Sequence, residues 1–178
     1  MTIKRCREVY DPDDDSYLFL NIKEINGKII EIGSGTGIIS IHYAKRGYDV
    51  TAVDISERAV SCTRNNAMEN GLKINVIRTN LFDGICGFYD FCLFNPPYLP
   101  SEFPDDPAWT GGREGNEIIK SFINEGREHC KILYYLESSI APVNKEYYSD
   151  LKFNNVRSIT YDFEQLTLVR VEINAKYR

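Results

Sequence analysis

At 178 residues the chain has room for one well-packed domain, and its 43% hydrophobic and 26% charged residues are those of an ordinary globular protein. A formal net charge of −5 weighs against a surface that grips long nucleic acid, which needs clustered Lys and Arg. No apolar run nears the ~20 residues of a membrane span, and the charged start MTIKRCREVYDPDDD has no signal-peptide core, so a cytoplasmic protein is expected.

In chain order, Asp13, Asp14 and Asp15 read as the solvated start of a helix, within a helical lead-in over about residues 1–26. Residues 28–32 (KIIEI) form a short apolar strand that runs into glycines. A helix over 38–46 and a second strand over 49–55 follow. Ser56 is an N-cap for a helix over 58–68, which Gly71 can end. Strands are expected over 73–78 and 90–94, then an amphipathic helix over 116–129 and a strand over 131–137. Residues 142–151 read as a further helix, and 154–161 with 165–173 as an antiparallel pair.

Strands separated by helices imply crossover connections. The fold class is therefore α/β, a doubly wound, mostly parallel seven-stranded sheet with an antiparallel C-terminal edge, in a single domain over 1–178. The five cysteines are odd in number and form no C-x-x-C pair, so reduced, mostly buried thiols are expected rather than disulfides or a zinc site. His42 and His129 fall in helical segments and belong to no triad.

On such a sheet, ligands bind at the carboxyl ends of the strands. The first loop there reads Glu31-Ile32-Gly33-Ser34-Gly35-Thr36-Gly37. It is not the hydride-transfer fingerprint G-x-G-x-x-G, whose third glycine would fall on Ile38. Asp54, at the end of the second strand, can accept hydrogen bonds from ribose hydroxyls, so loop and acid together point to an adenosine-containing ligand. The competing reading is a plain turn with Asp54 capping the next helix. In the third loop, Asn80 can meet an adenine edge while Leu81 packs on its ring.

The fourth strand runs into Asn95-Pro96-Pro97-Tyr98. Two prolines stiffen the loop and remove backbone donors, leaving carbonyls to face a ligand. A substrate –NH₂ has two hydrogens to place, and the Asn95 side-chain oxygen with the Pro96 carbonyl can accept both. Tyr98 offers a flat face to a planar amide or base. A merely rigid turn is the competing reading.

Four segments, 9–20 (VYDPDDDSYLFL), 31–37 (EIGSGTG), 95–98 (NPPY) and 108–115 (AWTGGREG), carry a resemblance across essentially the whole chain. It resembles the HemK-like class I methyltransferases, and most closely the archaeal and eukaryotic subgroup that methylates the glutamine of the GGQ motif in class I release factors. That resemblance implies a Rossmann-like fold and S-adenosylmethionine as methyl donor. It implies that Ser16 touches the cofactor, that Glu31, Gly33 and Gly35 line its methionine end, and that Asp54 holds the ribose. Asn80 and Leu81 would flank adenine, although the family more often has aspartate at the Asn80 position. Asn95, Pro96, Pro97 and Tyr98 would hold the glutamine side chain, with Asn95 also against the cofactor. Residues 99–115 are expected to form a substrate-facing lid anchored by Trp109. The resemblance further implies a small zinc-binding activator protein paired with an exposed sheet edge. Two alternatives are a nucleic-acid amino-methyltransferase, which would call for a basic surface, and a non-catalytic binding module, which would call for loss of Asn95 or of the glycine loop.

Overall fold

The computed structural model describes residues 1–98 and 112–173. Seven strands form one sheet: β1 (Lys28–Ile32), β2 (Asp49–Asp54), β3 (Asn75–Arg78), β4 (Tyr89–Phe94), β5 (Cys130–Ser138), β6 (Leu151–Thr160) and β7 (Gln165–Ile173). Their order is β3-β2-β1-β4-β5-β7-β6, with β3 to β5 parallel and β7 antiparallel to both neighbours. The chain reverses its direction of winding between β1 and β4, which is where an open sheet of this kind leaves a crevice.

Side chains alternate along each strand and divide the core in two. Ile29, Phe91 and Leu93 pack under α1 (Asp14–Phe19) and α2 (Ile38–Lys45), together with Leu18, Phe19 and Tyr43. Ile30, Ile32, Cys92 and Phe94 face the other way, onto Ile119, Phe122 and Ile123 of α4 (Glu117–His129). Helix α3 (Glu57–Glu69) covers Ala52 and Val76 through Val60. Both faces are therefore covered, as expected of buried parallel strands. The Ser56 side chain accepts from Ala59 N at 3.4 Å, and Gly71 (φ 69°) closes the far end of α3, so both caps lie where the sequence puts them.

Four expectations are corrected. Residues 142–151 form only a single 3₁₀ turn, Lys145–Tyr148. Buried Glu137 draws this segment back onto the sheet by accepting from Val143 N (3.0 Å) and Lys145 Nζ (2.8 Å), and β6 already begins at Leu151. The cysteines pair as Cys6–Cys62 and Cys92–Cys130, with Cα atoms 6.1 and 6.0 Å apart, and the remaining Cys86 is exposed. Tertiary structure creates both pairs: Lys4 exchanges hydrogen bonds with Asn66 and so lays the N-terminal segment along α3, while Cys92 and Cys130 lie on neighbouring strands. Finally, the acidic run is not uniformly solvated. Asp13 caps α1 and Asp14 is exposed, but Asp15 is only 4% accessible. Within 1–26 the helix is limited to α1. No helix of the described residues is long and apolar enough to cross a membrane.

Candidate active site

Strand register assembles the site before any side chain is considered. Ile32 pairs with Val53 on one side and Phe94 on the other, so Gly33, Asp54 and Asn95 leave three adjacent strands side by side. The next residue of each strand opens onto a cavity of about 890 Å³.

The glycine loop is tied down through its backbone. Ser34 N donates to Val53 O (2.9 Å), and the Thr63 hydroxyl of α3 donates to Gly35 O (3.0 Å). Gly37 sits at φ +82°, and a Cβ there would lie 2.9 Å from Thr63 Cγ2, so the turn excludes any side chain at this point. The Asp54 carboxylate accepts from Gly35 N and from Ser56 N, both at 2.9 Å. It therefore joins glycine loop to helix start, and burial still raises its pKa against those backbone donors. Glu31 is fully buried and receives both Ser40 N (2.8 Å) and the Ser40 hydroxyl. Burial pushes its carboxyl up to about 8 despite these bonds, and the Asp54 charge adds to the rise.

Thr79 N donates to Asp54 O (3.0 Å), which turns the third loop toward the same space; Leu81, at φ +43°, is buried against it. At the end of β4, Asn95 Nδ2 donates to Asp15 Oδ2 (3.0 Å) and to Ser16 Oγ (3.3 Å). Asn95 Oδ1 is buried and, among the described residues, has no hydrogen-bond partner. Tyr98 is packed against the core; burial, then the nearby Asp15 and Glu164 charges, raise its phenol and keep it neutral.

Each residue that the sequence assigns to the cofactor or the acceptor lines this one cavity: Glu31, Gly33, Gly35, Asp54, Asn80 and Leu81 from β1 to the third loop, and Asn95, Pro96, Pro97 and Tyr98 after β4, with Ser16 of α1 beside Asn95. Val9, Tyr10, Asp15, Ile118 and Glu164 also line it and were not foreseen as site residues. Val9 and Tyr10 lie in the VYDPDDD segment, so a signal existed; Asp15 was hidden in a run of three like residues. The expected lid and Trp109 fall mainly on 99–111, outside the described residues, though Gly112 reaches the cavity edge. His42 packs edge-on to Tyr43 and His129 stacks on Phe82 (5.0 Å), and neither lines the cavity.

A buried acceptor oxygen without a partner, on a residue that lines the same cavity as a glycine turn, suits a ligand that brings N–H donors beside an adenosine-bearing group. The comparisons with known proteins agree. The methyltransferase small domain family matches residues 10–130. A protein of Methanocaldococcus jannaschii named for protein N5-glutamine methyltransferase activity is 35% identical, over 94% of this chain and 93% of its own. A ribosomal RNA small subunit methyltransferase C of Buchnera aphidicola is 43% identical, but over only 42% of this chain and 22% of its own. Among solved structures, the E. cuniculi Mtq2–Trm112 complex, described as responsible for methylation of the eRF1 termination factor, superposes with a TM-score of 0.78 at 24% identity. It covers 94% of this chain and 99% of that one.

Proposed function

The chain belongs to the methyltransferase small domain family, and we propose that it methylates the side-chain amide of the GGQ glutamine in a class I release factor, with S-adenosylmethionine as donor. The observation that carries this reading is the buried, unpartnered Oδ1 of Asn95, a residue that lines the same cavity as the glycine turn and leaves the strand next to it. Full-length similarity to a protein-glutamine enzyme supports an amide acceptor, whereas the ribosomal RNA relative matches less than half of the chain.

The residues present fit the donor. At Gly35 an added Cβ would meet only Val9 Cγ1 at 4.0 Å, so this stretch of backbone is open toward the cavity, and Asp54 retains lone pairs for ribose hydroxyls beyond those it spends on backbone. Leu81 and Asn80 would bound the adenine, and Glu31 with Ser16 the amino-acid end. A cation seated near Glu31 would return that acid to its charged form, opposing the effect of burial. When bound, S-adenosylmethionine supplies an electrophilic methyl on a sulfonium.

The protein's own contribution is to make a poor nucleophile competent. An amide nitrogen shares its lone pair with its carbonyl. Asn95 Oδ1 would accept one of its hydrogens and the Pro96 carbonyl the other, which polarises the nitrogen and fixes its face. Tyr98, kept neutral, would support the flat amide. The rate gain comes from alignment without a covalent intermediate, and no Ser, Cys or His nucleophile is needed.

We also propose that a small zinc-binding activator protein pairs with the β3 edge of the sheet. The E. cuniculi structure is itself a two-protein complex, β3 is an outer strand, and Ile55 and Met68 on adjoining segments are 56% and 75% exposed. Full activity and solubility of the isolated chain would remove this partner. For the acceptor, the protein is incubated with methyl-labelled cofactor and either release factor, its GGQ→GGA variant, or RNA. Label on wild-type release factor alone is the expected result; label on RNA would put a nucleobase amine in place of glutamine.

A further inference from the structure

Building on this acceptor reading, we propose that Asp15 is a positioning residue: it locks the Asn95 side chain so that its carbonyl, rather than its NH₂, faces the acceptor nitrogen. A primary amide can turn by 180° with little change in shape, yet only one orientation offers an acceptor to an incoming N–H. In the observed orientation both Nδ2 contacts, Asp15 Oδ2 at 3.0 Å and Ser16 Oγ at 3.3 Å, are to residues of α1, and the buried Oδ1 is left without a partner among the described residues, on a side chain that lines the cavity. The reversed amide would set its oxygen against the Asp15 carboxylate, and would leave its NH₂ facing the –NH₂ of the acceptor amide, a group that only donates.

Asp15 is suited to this in a way its neighbours are not. The Asp13 carboxylate is spent on capping α1, and Asp14 points to solvent. Asp15 is 4% accessible and meets only donors: Oδ1 accepts from Ser16 N and from Ser16 Oγ (3.1 Å), while Oδ2 accepts from Tyr10 OH (2.9 Å) and Asn95 Nδ2. A group surrounded by donors must be an acceptor on both oxygens, which a carboxylate is and an amide is not. The selection is therefore electrostatic and survives thermal motion of the loop.

Asp15→Asn preserves shape and removes that condition, since its NH₂ must face one pair of donors. The expected outcome is a fall in kcat of about 30-fold, the size of one lost charge-assisted hydrogen bond, with the Kd for S-adenosylhomocysteine, measured by calorimetry, held within about threefold. Asn95→Ala is assayed in parallel. If Asn95→Ala retains full turnover, the acceptor reading itself fails; if it is inactive while Asp15→Asn turns over like wild type, only the role of Asp15 is overturned. Parallel loss of turnover and cofactor affinity in Asp15→Asn would also overturn it, because Asp15 would then serve the cofactor through Ser16. A measurement on the unsubstituted protein stands apart from the folding of any variant. The Asn95 side-chain amide protons should exchange slowly with solvent in an ¹⁵N-labelled sample, and exchange as fast as an exposed asparagine would contradict the lock.

Discussion

The loops that follow β1, β2 and β3 and the loop that follows β4 are built by different means. On the first, the binding surface is mainly backbone: glycines at positive φ, amide groups anchored to Val53 and Thr63, and one carboxylate, Asp54, engaged with two backbone N–H groups. On the second, the proposed contact is one buried side-chain oxygen, Asn95 Oδ1, on a side chain whose NH₂ is bound by an acid 80 positions away in sequence. A backbone-built surface tolerates many side-chain changes but no added Cβ at the turn. A side-chain-built surface fails with a single substitution and leaves the fold intact.

The largest effect that would sharpen this contrast is at Asn95. Asn95→Ala should lower kcat about a thousandfold, the scale seen when a preorganised polar contact to the reacting group is removed, with thermal stability near wild type in a melting experiment. Next, Asp54→Ala should weaken S-adenosylhomocysteine binding about 100-fold in calorimetry, the upper range for hydrogen bonds to a charged group, and change kcat at saturation far less. Gly37→Ala probes the backbone itself: the left-handed φ and the overlap with Thr63 together should cost about 2 kcal/mol in denaturant unfolding. A Gly37→Ala protein as stable as wild type would break the idea that this loop is fixed by its main chain.

The last effect is a pH slope. Glu31 rises from an ordinary 4.5 to about 8 in the folded protein, so the native state holds a proton that the unfolded chain releases. That contribution is fully present below pH 4.5 and is lost as pH climbs through about 8. In ligand-free protein, Glu31→Gln should flatten stability across that window, by at most about 1.4 kcal/mol per pH unit. Melting curves over a pH series would show it; an unchanged slope would mean that Glu31 ionises normally.

The same contrast explains what could be read from the sequence. The glycine turn, Asp54 and the Asn-Pro-Pro-Tyr corner are local patterns at strand ends, and the parallel register carries them to one place, so their convergence on one cavity was legible in the sequence. The caps of α3 were legible for the same reason. Asp15 was not, because an acid beside two others looks solvated until α1 is packed against the β4 loop. The cysteine pairs span 56 and 38 residues and depend on which segments become neighbours, and the 142–151 segment lost most of its helix to a buried Glu137 that no local pattern announces. Local chemistry was readable; side chains that act across the fold were not.

The most direct test of the central claim is a crystal structure of the protein with S-adenosylhomocysteine and a release-factor peptide carrying the GGQ glutamine. The account predicts the glutamine amide nitrogen within about 3 Å of Asn95 Oδ1, with Asn95 Nδ2 still on Asp15. A glutamine bound elsewhere in the cavity, or Asn95 with its NH₂ turned inward, would contradict it.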